Sequence, residues 1–152
     1  MPQGSKILVT GASGHIGRIF VRYYGDYYAL RLAYRSRPIE AASGHEVVQM
    51  DLADYDSVLR AMEGMDAVVH LAADARLAST WESVLRNNLV GTYHAYEAAR
   101  AAGVARFVFA SSNHAAGFAV REGGLVGPDA PHRPDSLYGV SKCYGESLGR
   151  YY

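Results

Sequence analysis

Apolar residues fall along this chain in short runs, separated by longer stretches in which they recur every three or four positions. Lys6–Thr10 (KILVT) predicts a buried strand, followed by a glycine turn and a helical stretch over Gly14–Tyr24. Ala29–Tyr34 (ALRLAY) and Glu46–Met50 (EVVQM) predict the second and third strands. Tyr55–Glu63 is a short helical pattern stopped by Gly64, and Asp66–Leu71 (DAVVHL) is a fourth strand. Trp81, Val84, Leu85, Leu89 and Tyr96 mark a long helix over Thr80–Ala102, closed by Gly103. Arg106–Ala110 (RFVFA) is the fifth strand. A Gly- and Pro-containing loop spans about Asn113 to Pro134, and a last helix occupies residues 136–152.

Strands that are apolar on both faces and separated by helices imply a parallel sheet covered on each side. Right-handed crossovers then lead to a doubly wound α/β sheet of the Rossmann type, with about five strands in one domain, residues 1–152. No internal repeat, low-complexity segment or interior boundary interrupts it.

Composition removes several alternatives. Lys plus Arg and Asp plus Glu number fifteen each, scattered without a basic run or tail, so nucleic acid is not expected as a partner. One cysteine, Cys143, allows no intrachain disulfide and suits a reducing compartment. The N-terminal MPQGSKILVT lacks a signal-peptide pattern, and no apolar stretch approaches the ~20 residues of a spanning helix. The expectation is a soluble, cytoplasmic protein without a membrane partner. The twelve tyrosines, mostly paired or at helical spacing, are expected in packing and interfaces.

The turn after the first strand reads TGASGHIG, Thr10–Gly17. Gly11 can make the tight turn, Gly14 leaves room for a pyrophosphate, and Gly17 lets the helix pack closely. Phosphates would meet free N–H groups at the positive end of the helix. Ser13, His15 and Ile16 belong to the same candidate dinucleotide site, with His15 and His70 serving chiefly in packing. Asp51 and Leu52 follow strand three, where a carboxylate could accept from an adenine amino group; a helix-capping role for such an acid could fall to Asp54 instead. Leu71, Ala72 and Ala73 are small enough to let backbone approach a ribose or nicotinamide. At the end of strand two stand Tyr34, Arg35, Ser36 and Arg37, with no acid before Glu40. An acid there would hold a ribose, whereas a guanidinium can fork onto a 2′-phosphate, so the cofactor is NAD or NADP.

Tyr138 and Lys142 are four apart and share a helix face, so both can point into the cofactor cleft. A free phenol with a pKa of ~10 is a poor base at neutral pH, and a nearby ammonium favours the phenolate. Strand five runs into Ser111, Ser112, Asn113 and His114 at the carboxyl edge of the sheet, where such folds bind ligands. The Ser112 hydroxyl could orient a reacting oxygen toward Tyr138. No His, Cys, Asp or Glu set has metal-ligand spacing, and no nucleophile-elbow motif is present.

TGASGHIG, Asp51–Leu52, HLAA at 70–73, Asn88 with Gly91–Thr92, and YGVSK at 138–142 together resemble the extended short-chain dehydrogenase/reductase superfamily, which includes nucleotide-sugar epimerases and dehydratases. Within it, ASSNHAAGF at 110–118 and the segment GPD to YGVSK at 127–142 are most similar to uronate dehydrogenases. The resemblance implies NAD(P)-dependent oxidation of a hexuronic acid at its anomeric carbon, giving a lactone. It implies Tyr138 as base, and Lys142 as the cation that favours the phenolate and holds the nicotinamide ribose. Ser112 would orient the substrate oxygen, Asn113 and His114 would contact substrate, and Asn88 would help order the site. A homodimer through the two long helices is also implied. The likeness departs at Tyr34–Arg35, where uronate dehydrogenases carry an acid, and at DARLAS after HLAA, where they carry a serine-bearing segment. Family members also continue beyond the last helix with further strands, a carboxylate-gripping arginine and a lid. The expectation is therefore a cofactor-binding half, with an epimerase/dehydratase or a non-catalytic NAD(P)-binding module as alternatives.

Overall fold

A computed structural model describes residues 2–40, 44–123 and 125–152. Its element order is β1 (Lys6–Thr10), α1 (His15–Tyr24), β2 (Ala29–Tyr34), β3 (Glu46–Gln49), α2 (Tyr55–Met62) and β4 (Ala67–His70). Then come α3 (Trp81–Val84), a π-helical turn (Leu85–Val90), α4 (Gly91–Ala101), β5 (Arg106–Phe109), a 3₁₀ turn (Asn113–Ala116), α5 (Gly117–Arg121) and α6 (Leu137–Tyr151). The five strands form one parallel sheet in the order β3-β2-β1-β4-β5. Strand order reverses between β1 and β4, so a crevice opens at their carboxyl ends. Among the described residues no helix is long and apolar enough to cross a membrane.

Side-chain alternation in the central strands builds two cores. Leu8, Val68 and Ala33 face α2 and α4, where Val58, Met62, Ala95 and Ala98 are completely or almost completely buried. Ile7, Val9, Leu30, Leu32 and Val69 face the other way and pack with Phe20 and Val21 of α1. Fully burying a side chain of this kind contributes about 1.5–3 kcal/mol. The expected apolar character on both faces thus holds for the three inner strands. It does not hold for β5, an edge strand in which Val108 is 55% exposed.

Two elements differ from the hydrophobic pattern. The predicted helix over 80–102 is present, but a π turn splits it at Leu85–Val90. The loop over 113–134 begins with the short helical segments Asn113–Ala116 and Gly117–Arg121, too brief to show an apolar period. The Ser112 hydroxyl caps the first of them by accepting from His114 N–H at 3.2 Å.

α6 lies against β5 because Gly145 has no side chain. A Cβ there would run into the Phe109 ring, with Cε1 at 2.7 Å. Gly145→Ala is expected to destabilise the fold by about 1–3 kcal/mol through overpacking, read as a lower urea midpoint with unchanged slope. A midpoint equal to wild type would mean that α6 is not held at this distance.

Candidate functional site

The glycine turn forms one wall of the crevice. Gly11 has φ of +67°, and a Cβ on it would meet Ala72 N and Cα at 2.9 Å. Only glycine tolerates both the backbone conformation and that approach. At Gly17 a Cβ would stand 2.6 Å from Ala12 Cα and the Gly11 carbonyl oxygen, so α1 begins directly against the turn. Among the described residues no side chain caps α1. Its first-turn amides are therefore left for an anion.

The turn is held by Thr10. Its buried Oγ1 accepts from the amides of Leu71 at 3.1 Å and Ala72 at 3.2 Å, and lies 3.0 Å from His70 Nδ1. With two amides donating to the oxygen, the hydroxyl proton goes to His70 Nδ1, which must carry a lone pair. His70 is then neutral with its proton on Nε2, a fully buried atom without a hydrogen-bond partner among the described residues. Burial, reinforced by the nearby Lys142 charge, takes the imidazole down to about 3.

A cleft of about 520 Å³ opens beside this wall, ample for a nucleotide. Of the residues singled out in the sequence, Gly11, Ser13, Gly14, Tyr34, Arg35, Asp51, Leu52, Leu71, Ala72 and Ala73 line it, as do Ser36 and Arg37. His15, Ile16, Gly17, Asn88, Tyr138 and Lys142 do not. His15 and Ile16 are exposed on α1, and Gly17 is buried beneath the turn. Asp51 accepts from Arg86 at 2.7 Å and from Ala53 N at 3.0 Å, while Asp54 caps α2 through Ser57 N. Spare acceptor sites remain on a carboxylate so bonded. Arg35 donates to Asn87 Oδ1 at 2.7 Å across the mouth.

Six lining residues were not anticipated as such: Ala33 and Met50 at the strand ends, and the polar Asp74, Arg76, Ser83 and Asn87. Asp74 accepts both arms of the Arg76 fork, at 2.8 and 2.6 Å, and the Ser83 hydroxyl at 2.5 Å. The Arg76 bond, then burial working against it and the serine bonds, leaves its carboxyl well below the usual range. Its place directly after HLAA at the carboxyl edge of β4 was the available signal. Asn88, 2% exposed, ties the same turn to α6: its Oδ1 accepts from Asp74 N at 2.7 Å. Its Nδ2 donates at 3.0 Å both to the Asp74 carbonyl and to Ser141 Oγ.

The Tyr138–Lys142 pair stands on α6, whose N-terminus is capped by Ser136 Oγ accepting from Gly139 N at 3.0 Å. Lys142 is 4% exposed and donates to the Ala110 carbonyl at 2.7 Å. Its Nζ lies 4.7 Å from the Phe109 ring centre and 5.4 Å from that of Tyr138. Cation–π attraction and one carbonyl hold the ammonium inward, away from the cleft lining. Burial pulls it down to about 8, so it remains mostly charged at neutral pH. His114 meets the Tyr138 ring edge-on at 6.1 Å. Ser112 and Asn113 line a second cavity of about 510 Å³ with Ser111, His132 and Glu146. There the Glu146 carboxylate accepts from the Ser111 hydroxyl and contacts His132 Nε2 at 2.9 Å. No group of His, Cys, Asp and Glu among the described residues has the arrangement of a metal site.

The model of the NAD dependent epimerase/dehydratase family matches residues 7–152. The chain is 47% identical to the uronate dehydrogenase of Agrobacterium fabrum over 97% of its own length and 55% of that protein's. It is 42% identical to L-arabinose 1-dehydrogenase (NAD(P)(+)) of Haloferax volcanii, over 97% of this chain and 61% of that one. The crystal structure of uronate dehydrogenase from Agrobacterium tumefaciens matches with a TM-score of 0.87 at 43% identity, over 97% of this chain and 55% of that one. The chain thus spans between half and two thirds of the length of these two relatives.

Thr10→Val would orphan two half-buried amides and the buried His70 acceptor, at a cost of up to roughly 1–3 kcal/mol each. We expect a lower thermal midpoint and at least tenfold weaker dinucleotide binding, with Thr10→Ser close to wild type; equal losses in both variants would refute a role for the hydroxyl. Between pH 6.5 and about 3 the unfolded His70 takes up a proton that the folded one refuses. Stability should therefore fall with pH through that window, and less steeply in His70→Asn, whose Oδ1 can replace Nδ1. Urea midpoints measured across the window check this, and parallel curves would show that another group carries the slope.

Proposed function

The chain belongs to the NAD dependent epimerase/dehydratase family, and from that premise we propose that it serves an NAD(P)-dependent dehydrogenase that oxidises a hexuronic acid at its anomeric carbon. One observation carries this reading: a roomy cleft walled by the glycine turn shares a sheet edge with a Tyr–Lys pair that has His114 beside it, the His114 amide in turn donating to Ser112 Oγ. Uronate dehydrogenases among the relatives support the substrate class.

In this reading the Tyr138 phenolate takes the proton of the anomeric hydroxyl. Lys142, fixed on the Ala110 carbonyl, keeps its positive charge 5.4 Å from the centre of the Tyr138 ring. Ser112 holds the reacting oxygen in place, and Asn113 and His114 contact the rest of the sugar. The chemistry a bound nicotinamide dinucleotide would supply is acceptance of the hydride from the same carbon, which would leave a carbonyl there and a lactone as product. Gly11, Gly14 and the first turn of α1 would hold its pyrophosphate, and Leu71–Ala73 would border its ribose. Arg35 and Arg37, with no acid at the end of β2, admit a 2′-phosphate, so NADP is proposed beside NAD.

Calorimetric titration with NAD and NADP, followed by assays on D-glucuronate and D-galacturonate, tests the reading. We expect micromolar binding of at least one dinucleotide, and uronate oxidation that Tyr138→Phe lowers by about 10²–10⁴-fold without weakening cofactor binding. Arg35→Glu should move the affinity ratio toward NAD. Failure of a folded chain to bind either dinucleotide would end the proposal, and an unmoved ratio would make Arg35 a surface residue only.

A further inference from the structure

Outside both cavities, a buried carboxylate grips a histidine beside Tyr138. Asp135 has a side chain only 4% exposed, with Oδ1 at 2.8 Å from His114 Nδ1 and Oδ2 at 3.0 Å from Arg121 Nη2. The His114 bond, helped against the cost of burial by the Arg121 charge, holds the carboxyl below its ordinary range. An ionised carboxylate can only accept, so the proton of this pair belongs to Nδ1. In the neutral ring Nε2 then carries the lone pair. Nε2 makes no hydrogen bond among the described residues, and the side chain is 25% exposed.

Two glycines force the arrangement. A Cβ on Gly117 would collide with the Asp135 carboxyl carbon and stand 2.5 Å from Oδ1, so the carboxylate rests on bare backbone at the start of α5. A Cβ on Gly139 would collide with the His114 carbonyl oxygen, so the first turn of α6 sits against the 3₁₀ turn that carries His114. The peptide between them is pinned by Arg133 N–H donating to the Ala115 carbonyl at 2.9 Å, and by Phe118 N–H donating to the Arg133 carbonyl at 3.0 Å. The imidazole therefore stays edge-on to Tyr138, with one nitrogen committed and the other open.

We propose that Asp135 is a positioning residue that fixes His114 as the Nδ1–H tautomer, so that Nε2 accepts a hydrogen bond from a substrate hydroxyl beside Tyr138. This rests on the sugar-oxidation reading above and sharpens it. A lone pair on Nε2 welcomes a ring hydroxyl and repels a carboxylate, so His114 selects the sugar's hydroxyl pattern and leaves the acid group to other residues.

Long-range ¹⁵N–¹H spectra of the labelled chain at pH 8 report the tautomer directly, with no substrate needed. We expect the Nδ1–H pattern for His114 in wild type. Asp135→Asn should lose the bias, because an amide can meet Nδ1 with either its oxygen or its N–H. Gly117→Ala should lose it too, by displacing the carboxylate while leaving Asp135 in the chain. An Nε2–H pattern in wild type overturns the proposal whether or not the variants fold. With NADH present, D-glucuronate should shift the Nε2 resonance of wild type, and Asp135→Asn should raise KM for D-glucuronate about tenfold with little change in kcat, the order of one hydrogen bond. If D-glucuronate is oxidised while Nε2 stays unmoved, the substrate contact is refuted and the sugar-oxidation reading survives. If the Nδ1–H pattern is found but no uronate is bound or oxidised, the sugar-oxidation reading fails and the substrate contact with it.

Discussion

The hydroxyl of Thr10 sits where β1 ends and the strand order reverses, and three other groups depend on it for a partner. Parallel strands diverge at this point, so the amides of Leu71 and Ala72 have no ladder acceptor although they lie at the edge of the core. Buried N–H groups left unpaired are costly, and one oxygen with two acceptor sites serves both. The proton it has left to give dictates the charge of His70. A protonated ring would present N–H to the hydroxyl's own hydrogen, so burial of a neutral imidazole and closure of the cleft wall are two aspects of one arrangement.

The neutral ring in turn allows the opposite side of the sheet edge to hold a cation. His70 stacks on Phe109 with ring centres 6.0 Å apart, and Lys142 lies over the same aromatic ring. Two cations could not share that position, and the Lys142 charge is one cause of the low His70 value. Asn88 completes the linkage between the two sides. The π turn sets adjacent asparagines to different tasks, Asn87 toward Arg35 at the mouth and Asn88 toward Asp74 and Ser141 in the interior. An added residue in one helical turn re-aims side chains in this way, which is why such turns gather at functional sites.

The glycines show how local and long-range demands differ. Gly11 announces itself through the TGASGHIG spacing, because a tight turn with positive φ is a property of a few consecutive residues. Gly117, Gly139 and Gly145 carry no such signature. Each is required by an atom far along the chain or across the sheet: the Asp135 carboxylate, the His114 carbonyl and the Phe109 ring. The same distinction applies to Asp51, whose place after β3 was legible while its ion pair with Arg86 on a distant turn was not.

Hydrophobic periodicity and turn residues by themselves determined the five strands, the main helices, the parallel doubly wound sheet and the cleft wall at its reversal point, because each follows from φ/ψ preference and burial within a short window. Packing alone decided the rest: that a π turn splits the long helix, that helical turns begin the loop after Ser112, and that Lys142 turns inward to a carbonyl and two rings rather than into the cleft. The Asp135–His114 pair likewise exists only because the chain brings two segments, 21 residues apart, into contact over a glycine. Such contacts satisfy buried polar groups, and which groups become buried is a property of the assembled sheet and helices rather than of any one segment.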